Sequence, residues 1–111
     1  MDDCLFCRLA ARPPEALVFS DALVAAFEDI NPQAPTHVLI VPRRHVPSVA
    51  HPEAGEVLPA LFAAAAEIAR RRGIAESGFR TVFNVGSDAG QTVHHLHLHL
   101  LGGRPLAWPP G

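Results

Sequence analysis

Near the C-terminal end, imidazole alternates with leucine through Val93-His94-His95-Leu96-His97-Leu98-His99-Leu100-Leu101. Alternation at period two marks a β-strand with one face in a core and the other outside it. The pattern predicts a strand over Val93 to Leu101, with Leu96, Leu98 and Leu100 buried. His95, His97 and His99 then share the opposite face. Imidazole titrates near neutrality, so three in register offer a nucleophile, a proton donor or a metal ligand. Chemistry is the leading explanation for such a face.

The rest of the chain sets the frame for that strand. Its 111 residues are expected to form one domain, 1–111, long enough for a real core. A hydrophobic fraction of 49% with 18% charged residues excludes a disordered chain. The net charge of −2 gives no general reason to expect nucleic acid or an anionic membrane as partner. Met1-Asp2-Asp3 is acidic and the apolar run after it breaks at Arg8, unlike a signal peptide. The longest apolar run, near Ala63 to Ala66, is far too short for a membrane span. A cytoplasmic protein is therefore expected. Its two cysteines, Cys4 and Cys7, form Cys-x-x-Cys, which in a reducing compartment suggests metal ligation or redox chemistry.

Local signals divide the chain into few elements. Asp3 to Ala10 reads as a short helix, capped by Asp3 and stopped by Pro13-Pro14. Leu17 to Phe19 and Leu23 to Glu28 read as strands joined by a Ser20-Asp21 turn, and Asn31 to Pro35 as a loop. His37 to Val41, ended by Pro42, reads as a central third strand. From Pro52 to Arg72 the period becomes helical, with Val57, Leu58, Leu61, Phe62, Ala65, Ile68 and Ala69 on one face and Gly73 as the stop. Arg70-Arg71-Arg72 suits the negative end of that helix's dipole. Phe79 to Val85 is a fourth strand, and Gly86 to Gly90 turns the chain into the fifth. The result is an α+β domain: a five-stranded, mostly antiparallel sheet, one long helix and a short N-terminal helix. Trp108, set among proline and glycine, reads as an anchor or interface residue.

Three chemistries compete for the alternating histidines. They are solvated polar residues, or a three-histidine zinc site, or a nucleophile at His97 with an imidazole on either side. Side chains at i, i+2 and i+4 of a strand run nearly parallel, which disfavours convergence on one ion. The third uses all three with little strain, since a flanking imidazolium can hold the anion that His97 attacks. Gly90, Gln91 and Thr92 lie just before the strand, where backbone N–H groups, an amide and a hydroxyl suit phosphate oxygens. Asn84, near the end of the preceding strand, is expected to reach the same place.

His95-Leu96-His97-Leu98-His99-Leu100-Leu101 resembles the His-φ-His-φ-His-φ-φ signature of the histidine triad (HIT) superfamily. Asp29 to His37, Asn84 to Thr92, and Leu101 to Arg104 with Trp108-Pro109-Pro110-Gly111 resemble its HINT branch. The resemblance covers nearly the whole chain. It implies a homodimer whose two sheets join into ten strands, and purine nucleoside phosphoramidase activity, which releases a nucleoside monophosphate and an amine. It makes His97 the nucleophile, His99 a phosphate contact and His37 a hydrogen-bonding assistant. Asp29 matches the ribose-binding acid, while Phe6, Leu9, Phe27 and Ile30 match the purine pocket. Asn84, Gly90, Gln91 and Thr92 match the phosphate-binding segment.

The chain departs from the branch at two positions. Thr92 stands where serine is usual, and His94 where an aromatic is usual; His94 is expected on the Leu96 side as a structural residue. Many bacterial members pair a Cys-x-x-Cys with two histidines to hold structural zinc, and the matching positions are Cys4, Cys7, His45 and His95. His95 then leaves the catalytic group. A redox Cys-x-x-Cys is the alternative, without the thioredoxin-like βαβ setting. His51, followed by Pro52, reads as a loop residue. A dinucleoside-polyphosphate hydrolase and a purine-nucleotide-binding adaptor are the competing functions. The Trp-Pro-Pro-Gly tail argues against the former.

Overall fold

The computed structural model describes residues 3–111; Met1 and Asp2, whose acidity entered the expectation about a signal peptide, lie outside the described residues. Five strands form one antiparallel sheet: β1 (Phe19–Ser20), β2 (Val24–Glu28), β3 (Thr36–Pro42), β4 (Phe79–Val82) and β5 (Leu98–Gly102). Their order is β1-β2-β3-β5-β4, so the unbroken apolar run His37 to Val41 is the centre of the sheet, as its composition requires. Every residue of β3 is buried. Two helices, α1 (Leu5–Ala10) and α2 (Leu58–Arg71), accompany the sheet. No helix of the described residues is long and apolar enough to cross a membrane.

The two faces of the sheet carry different loads. Val24, Ala26, Val38, Ile40, Leu96, Leu98 and Leu100 pack with Leu61, Ala65 and Ile68 of α2 into the main core. Alternate residues Ala25, Phe27, Leu39 and Val41 meet Phe6 and Ala10 of α1 in a smaller cluster on the other face. His95, His97 and His99 lie toward α1, with the Phe6 ring 6.3 Å from His95 and 4.9 Å from His97. Period two thus assigns leucines to one layer and histidines to the other, as the sequence predicts.

Several boundaries differ from expectation. The expected strand Val93 to Leu101 is laddered only from Leu98. Register pairs Leu98 with Ile40, so continuation would set Leu96 against Pro42, which has no N–H to give. The Leu96 N–H turns instead to the Val46 carbonyl, 2.6 Å away. His94 therefore shares no face with Leu96: it is exposed, in a bend. The long helix begins at Leu58 rather than Pro52, after a separate 3-10 turn over Ala54–Glu56. Pro59 explains the break, because its ring excludes an α-helical bond to the carbonyl four residues earlier. Phe62 lies on the helix flank, 47% exposed, edge-on to Phe83 at 6.1 Å. Gly73 ends the helix at φ +71°, a conformation costly for other residues.

At the N-terminal end the cap is Cys4 rather than Asp3: its Sγ accepts the Cys7 N–H at 3.3 Å. The first strand is displaced to Phe19–Ser20, and β4 stops at Val82, leaving Phe83 to Val85 as the approach to the Gly86 loop. The arginine run at the end of α2 is engaged by acids: Glu67 bonds Arg70 and Arg71, each at 2.7 Å, and Arg72 pairs with Glu28.

Candidate functional site

A cleft of about 280 Å³ opens on the α1 face of the sheet. Its apolar wall is Phe6 and Leu9 of α1, Phe27 of β2, and Ile30. Ile30 is fully exposed, an isoleucine at the rim with nothing of this chain over it. Leu5, Leu39 and Val93 complete that wall and were not singled out from the sequence. Leu39 was accessible to reasoning, since it faces the side opposite Val38 and pairs with Phe27 across the ladder. The polar end is formed by Asp29, Asn84, Gly90, Thr92, His97 and His99.

The histidine tautomers follow from fixed backbone partners. His97 Nδ1 lies 2.7 Å from the His95 carbonyl, which only accepts, so Nδ1 carries the hydrogen. The lone pair is thereby left on Nε2, which has no partner among the described residues. Burial lowers the His97 pKa, opposed by the His95 carbonyl and by Asp29. A neutral imidazole with one free, aimed lone pair is a nucleophile.

His99 is fixed by a chain of bonds. The Gln33 N–H donates to His37 Nδ1 at 3.0 Å, which puts the His37 hydrogen on Nε2. That hydrogen faces His99 Nδ1 at 2.9 Å, so His99 carries its own on Nε2, where Asn84 Nδ2 at 3.5 Å stands as a second donor rather than a bonded partner. Burial, then His97 and His37, push the His99 pKa down to about 4, with Asp29 opposing. His99 is accordingly a neutral donor at physiological pH and fit to hold an anion's oxygen. His37 itself is 4% exposed and stands behind His99 rather than in the cleft wall.

The loop before β5 divides differently from expectation. Gln91 does not line the cleft; its Nε2 donates to the Pro47 and Val93 carbonyls at 3.0 and 3.2 Å. Its Oε1 accepts the Gly86 N–H at 3.0 Å. The Gly90 and Gln91 N–H groups are spent on Ser87 and Gly86 carbonyls, each at 3.0 Å. Gln91 is a staple of the loop, made possible by left-handed Gly86 and Gly90 at φ +80° and +83°. The donors left lining the polar end of the cleft are then Thr92, the Asn84 amide and His99. A second cavity, about 650 Å³, shares Asn84 and His99 with the cleft and adds His37, Arg80 and Arg104. Trp108, 81% exposed, lies beside it under the Arg80 guanidinium at 6.0 Å.

Beyond Phe6, a separate cluster gathers Cys4, Cys7, His45 and His95. His95 Nδ1 lies 3.3 Å from Cys4 Sγ, 3.4 Å from Cys7 Sγ and 3.2 Å from His45 Nδ1; Cys7 Sγ to His45 Nδ1 is 3.4 Å. A tetrahedral cation with sulfur and nitrogen bonds of about 2.3 and 2.0 Å needs S–N and N–N edges of about 3.5 and 3.3 Å. The donors already stand near those edges. His95 is fully buried, and its Nε2–H donates to the Pro42 carbonyl at 2.8 Å, turning the Nδ1 lone pair toward the thiols. That outer bond is the usual support of a ligating imidazole. Burial and then the Cys4 thiol raise the Cys7 thiol pKa, a state that a cation among the four would reverse. The four residues can bind a metal ion and leave it no open position.

A family model described as the HIT domain matches residues 11–106. The chain belongs to the HIT domain family. Among curated relatives, it is 49% identical over 113 residues to an uncharacterised HIT-like protein of Synechocystis, covering 99% of this chain and 98% of that one. It is 44% identical over 108 residues to the purine nucleoside phosphoramidase of Escherichia coli, covering 95% and 91%. The solved HIT family hydrolase from Legionella pneumophila superposes with a TM-score of 0.89 at 46% identity, covering 98% of this chain and 100% of that one. A histidine triad protein from Clostridium difficile gives 0.88 at 38%, covering 96% of each. The HIT fold is thus common to this chain and its solved relatives.

Proposed function

We propose that this HIT protein is a hydrolase that cleaves the P–N bond of purine nucleoside 5′-phosphoramidates. The observation that carries it is the pairing of a free His97 Nε2 lone pair with a fixed His99 Nε2–H at the polar end of an apolar cleft. The purine lies against Phe6, Leu9, Phe27 and Ile30, and the sugar meets Asp29. His99, Thr92 and Asn84 hold the phosphoryl oxygens, while the amine leaves toward the second cavity. His97 Nε2 forms a bond to phosphorus as the P–N bond breaks. The His95 carbonyl supports the imidazolium this creates through Nδ1–H. The departing nitrogen takes a proton from solvent in the second cavity; water then attacks phosphorus and returns a proton to solvent as His97 Nε2 leaves with the bonding pair, its Nδ1–H intact. The net reaction places hydroxyl on phosphorus and hydrogen on nitrogen.

Turnover of adenosine 5′-phosphoramidate, followed by phosphorus NMR, tests the proposal. Wild type is expected to release adenosine monophosphate, and His97→Ala to lose turnover by at least about a thousandfold while still binding adenosine monophosphate. Faster cleavage of a diadenosine polyphosphate than of the phosphoramidate would overturn the assignment, and binding without any turnover would favour an adaptor.

We infer further that Cys4, Cys7, His45 and His95 hold zinc, in a closed thiolate and imidazole set that is structural. It supplies a cross-link between α1, which carries Phe6 and Leu9, and the chain before β5. Elemental analysis should find about one zinc per chain and none in Cys4→Ala. A homodimer of ten strands is supported by β4, a free edge bearing exposed Phe79. Sedimentation should give twice the chain mass. A cytoplasmic location accords with a thiol pair kept reduced for metal.

A further inference from the structure

We propose that Asp29 is a positioning residue of the histidine pair: it fixes the direction of the His37–His99 hydrogen bond, besides any contact with a sugar. The inference deepens the phosphoramidase proposal and rests on it for its kinetic readout. Asp29 follows directly on β2, and its N–H donates to the His37 carbonyl at 3.0 Å, so the two backbones are locked together. Its Oδ1 accepts the Asn31 N–H at 2.8 Å, which holds the carboxylate still. Its Oδ2 then lies 3.3 Å from His37 Nε2.

The His37 ring consequently has three neighbours and one hydrogen. The Gln33 N–H occupies Nδ1, leaving the hydrogen on Nε2 between His99 Nδ1 at 2.9 Å and Asp29 Oδ2 at 3.3 Å. If the bond ran the other way, His99 Nδ1–H would donate and His37 Nε2 would turn a lone pair toward an anionic oxygen. Its hydrogen would also move to Nδ1, against the Gln33 N–H. Both displacements are repulsive, and Asp29 supplies the charged one. The outcome matters at the far end of the pair. Only the direction that the Gln33 N–H imposes leaves a hydrogen on His99 Nε2, the atom available to a phosphoryl oxygen. Asp29 also lines the nucleoside cleft, so one carboxylate stands between the sugar and the histidine pair.

Asp29→Asn separates this role from sugar binding, since it keeps Oδ1 for the Asn31 N–H while removing the charge. The decisive substrate is a 2′,3′-dideoxyadenosine phosphoramidate, which has no ring hydroxyl for Asp29 to hold. Asp29→Asn should lower kcat about 10- to 100-fold on this substrate, the worth of one charged hydrogen bond, with little change in KM. Asp29→Glu should recover part of that loss. Nitrogen NMR of the free protein should show His37 and His99 protonated at Nε2 in wild type, with a second tautomer populated in Asp29→Asn. Equal kcat for wild type and Asp29→Asn on the dideoxy substrate would overturn the proposal, as would unchanged imidazole nitrogen shifts. If wild type cleaves no phosphoramidate, the proposed function fails, and the NMR comparison still decides the role of Asp29.

Discussion

Replacing Gln91 with alanine should damage the fold more than it damages anion binding. Its side chain ties Gly86 to Pro47 and Val93 through three hydrogen bonds of 3.0 to 3.2 Å. At about 0.5–1.5 kcal/mol net per bond, the upper bound exceeds 4 kcal/mol. The freed loop groups lie near solvent and regain water, which leaves an expected loss of about 1–2 kcal/mol. For a chain this short, that lowers the melting temperature by about 4–10 °C. Scanning calorimetry reads the stability, and KM for adenosine 5′-phosphoramidate reads the cleft. KM should rise only a few-fold, through looser placement of Thr92. Gln91→Glu keeps an acceptor for the Gly86 N–H but sets an anionic oxygen against two carbonyls, so it should melt no higher than the alanine variant. An unchanged melting temperature with a hundredfold higher KM would show that the amide is an anion ligand after all.

Three more outcomes follow from the same geometry. Folding depresses His99 from 6.5 to about 4, so the unfolded chain binds more protons between those values. Stability should be complete above pH 6.5 and fall as pH drops toward 4, with His95 and His97 acting in the same direction; flat urea midpoints across that range would refute this. Gly103→Ala combines a left-handed φ of +93° with a Cβ 2.9 Å from Pro35 Cβ, and should cost about 1–3 kcal/mol in a denaturant titration while disturbing the Asn31–Pro35 loop. Stripping metal with a chelator should lower the melting temperature of wild type and leave Cys7→Ser unchanged, since free metal at a thousand times Kd is worth about 4 kcal/mol.

What could be read from the sequence depended on whether a residue's role was local. The leucine–histidine alternation and the apolar β3 run gave their layers and the central strand, because pleating makes side-chain direction a property of the backbone. Two elements start later than composition suggested because a proline spoils a backbone bond: Pro42, across the sheet from the start of β5, and Pro59, in the first turn of α2. Of the residues matched to the family pattern, Gln91 illustrates the limit. Its amide suits an anion or a carbonyl equally, and only the position of Pro47, 44 residues away, reveals which it meets. The tautomers of His37 and His97 were equally hidden, being set by one backbone N–H and one backbone carbonyl that no side-chain pattern encodes.

The stretch from His95 to Leu100 has consequences for how such a chain can change over time. Every second side chain belongs to the main core and every other one to the metal-binding cluster or the cleft, so neither set has spare positions. Deleting one residue within it would send imidazoles into the leucine layer and leucines into the cleft, ending fold and cleft together. A new specificity therefore has to arrive by substitution on neighbouring segments, such as α1 or the Gly86 loop, while the length of this segment stays fixed. Libraries that vary loop length around it, and leave its spacing alone, are the ones from which active variants should emerge.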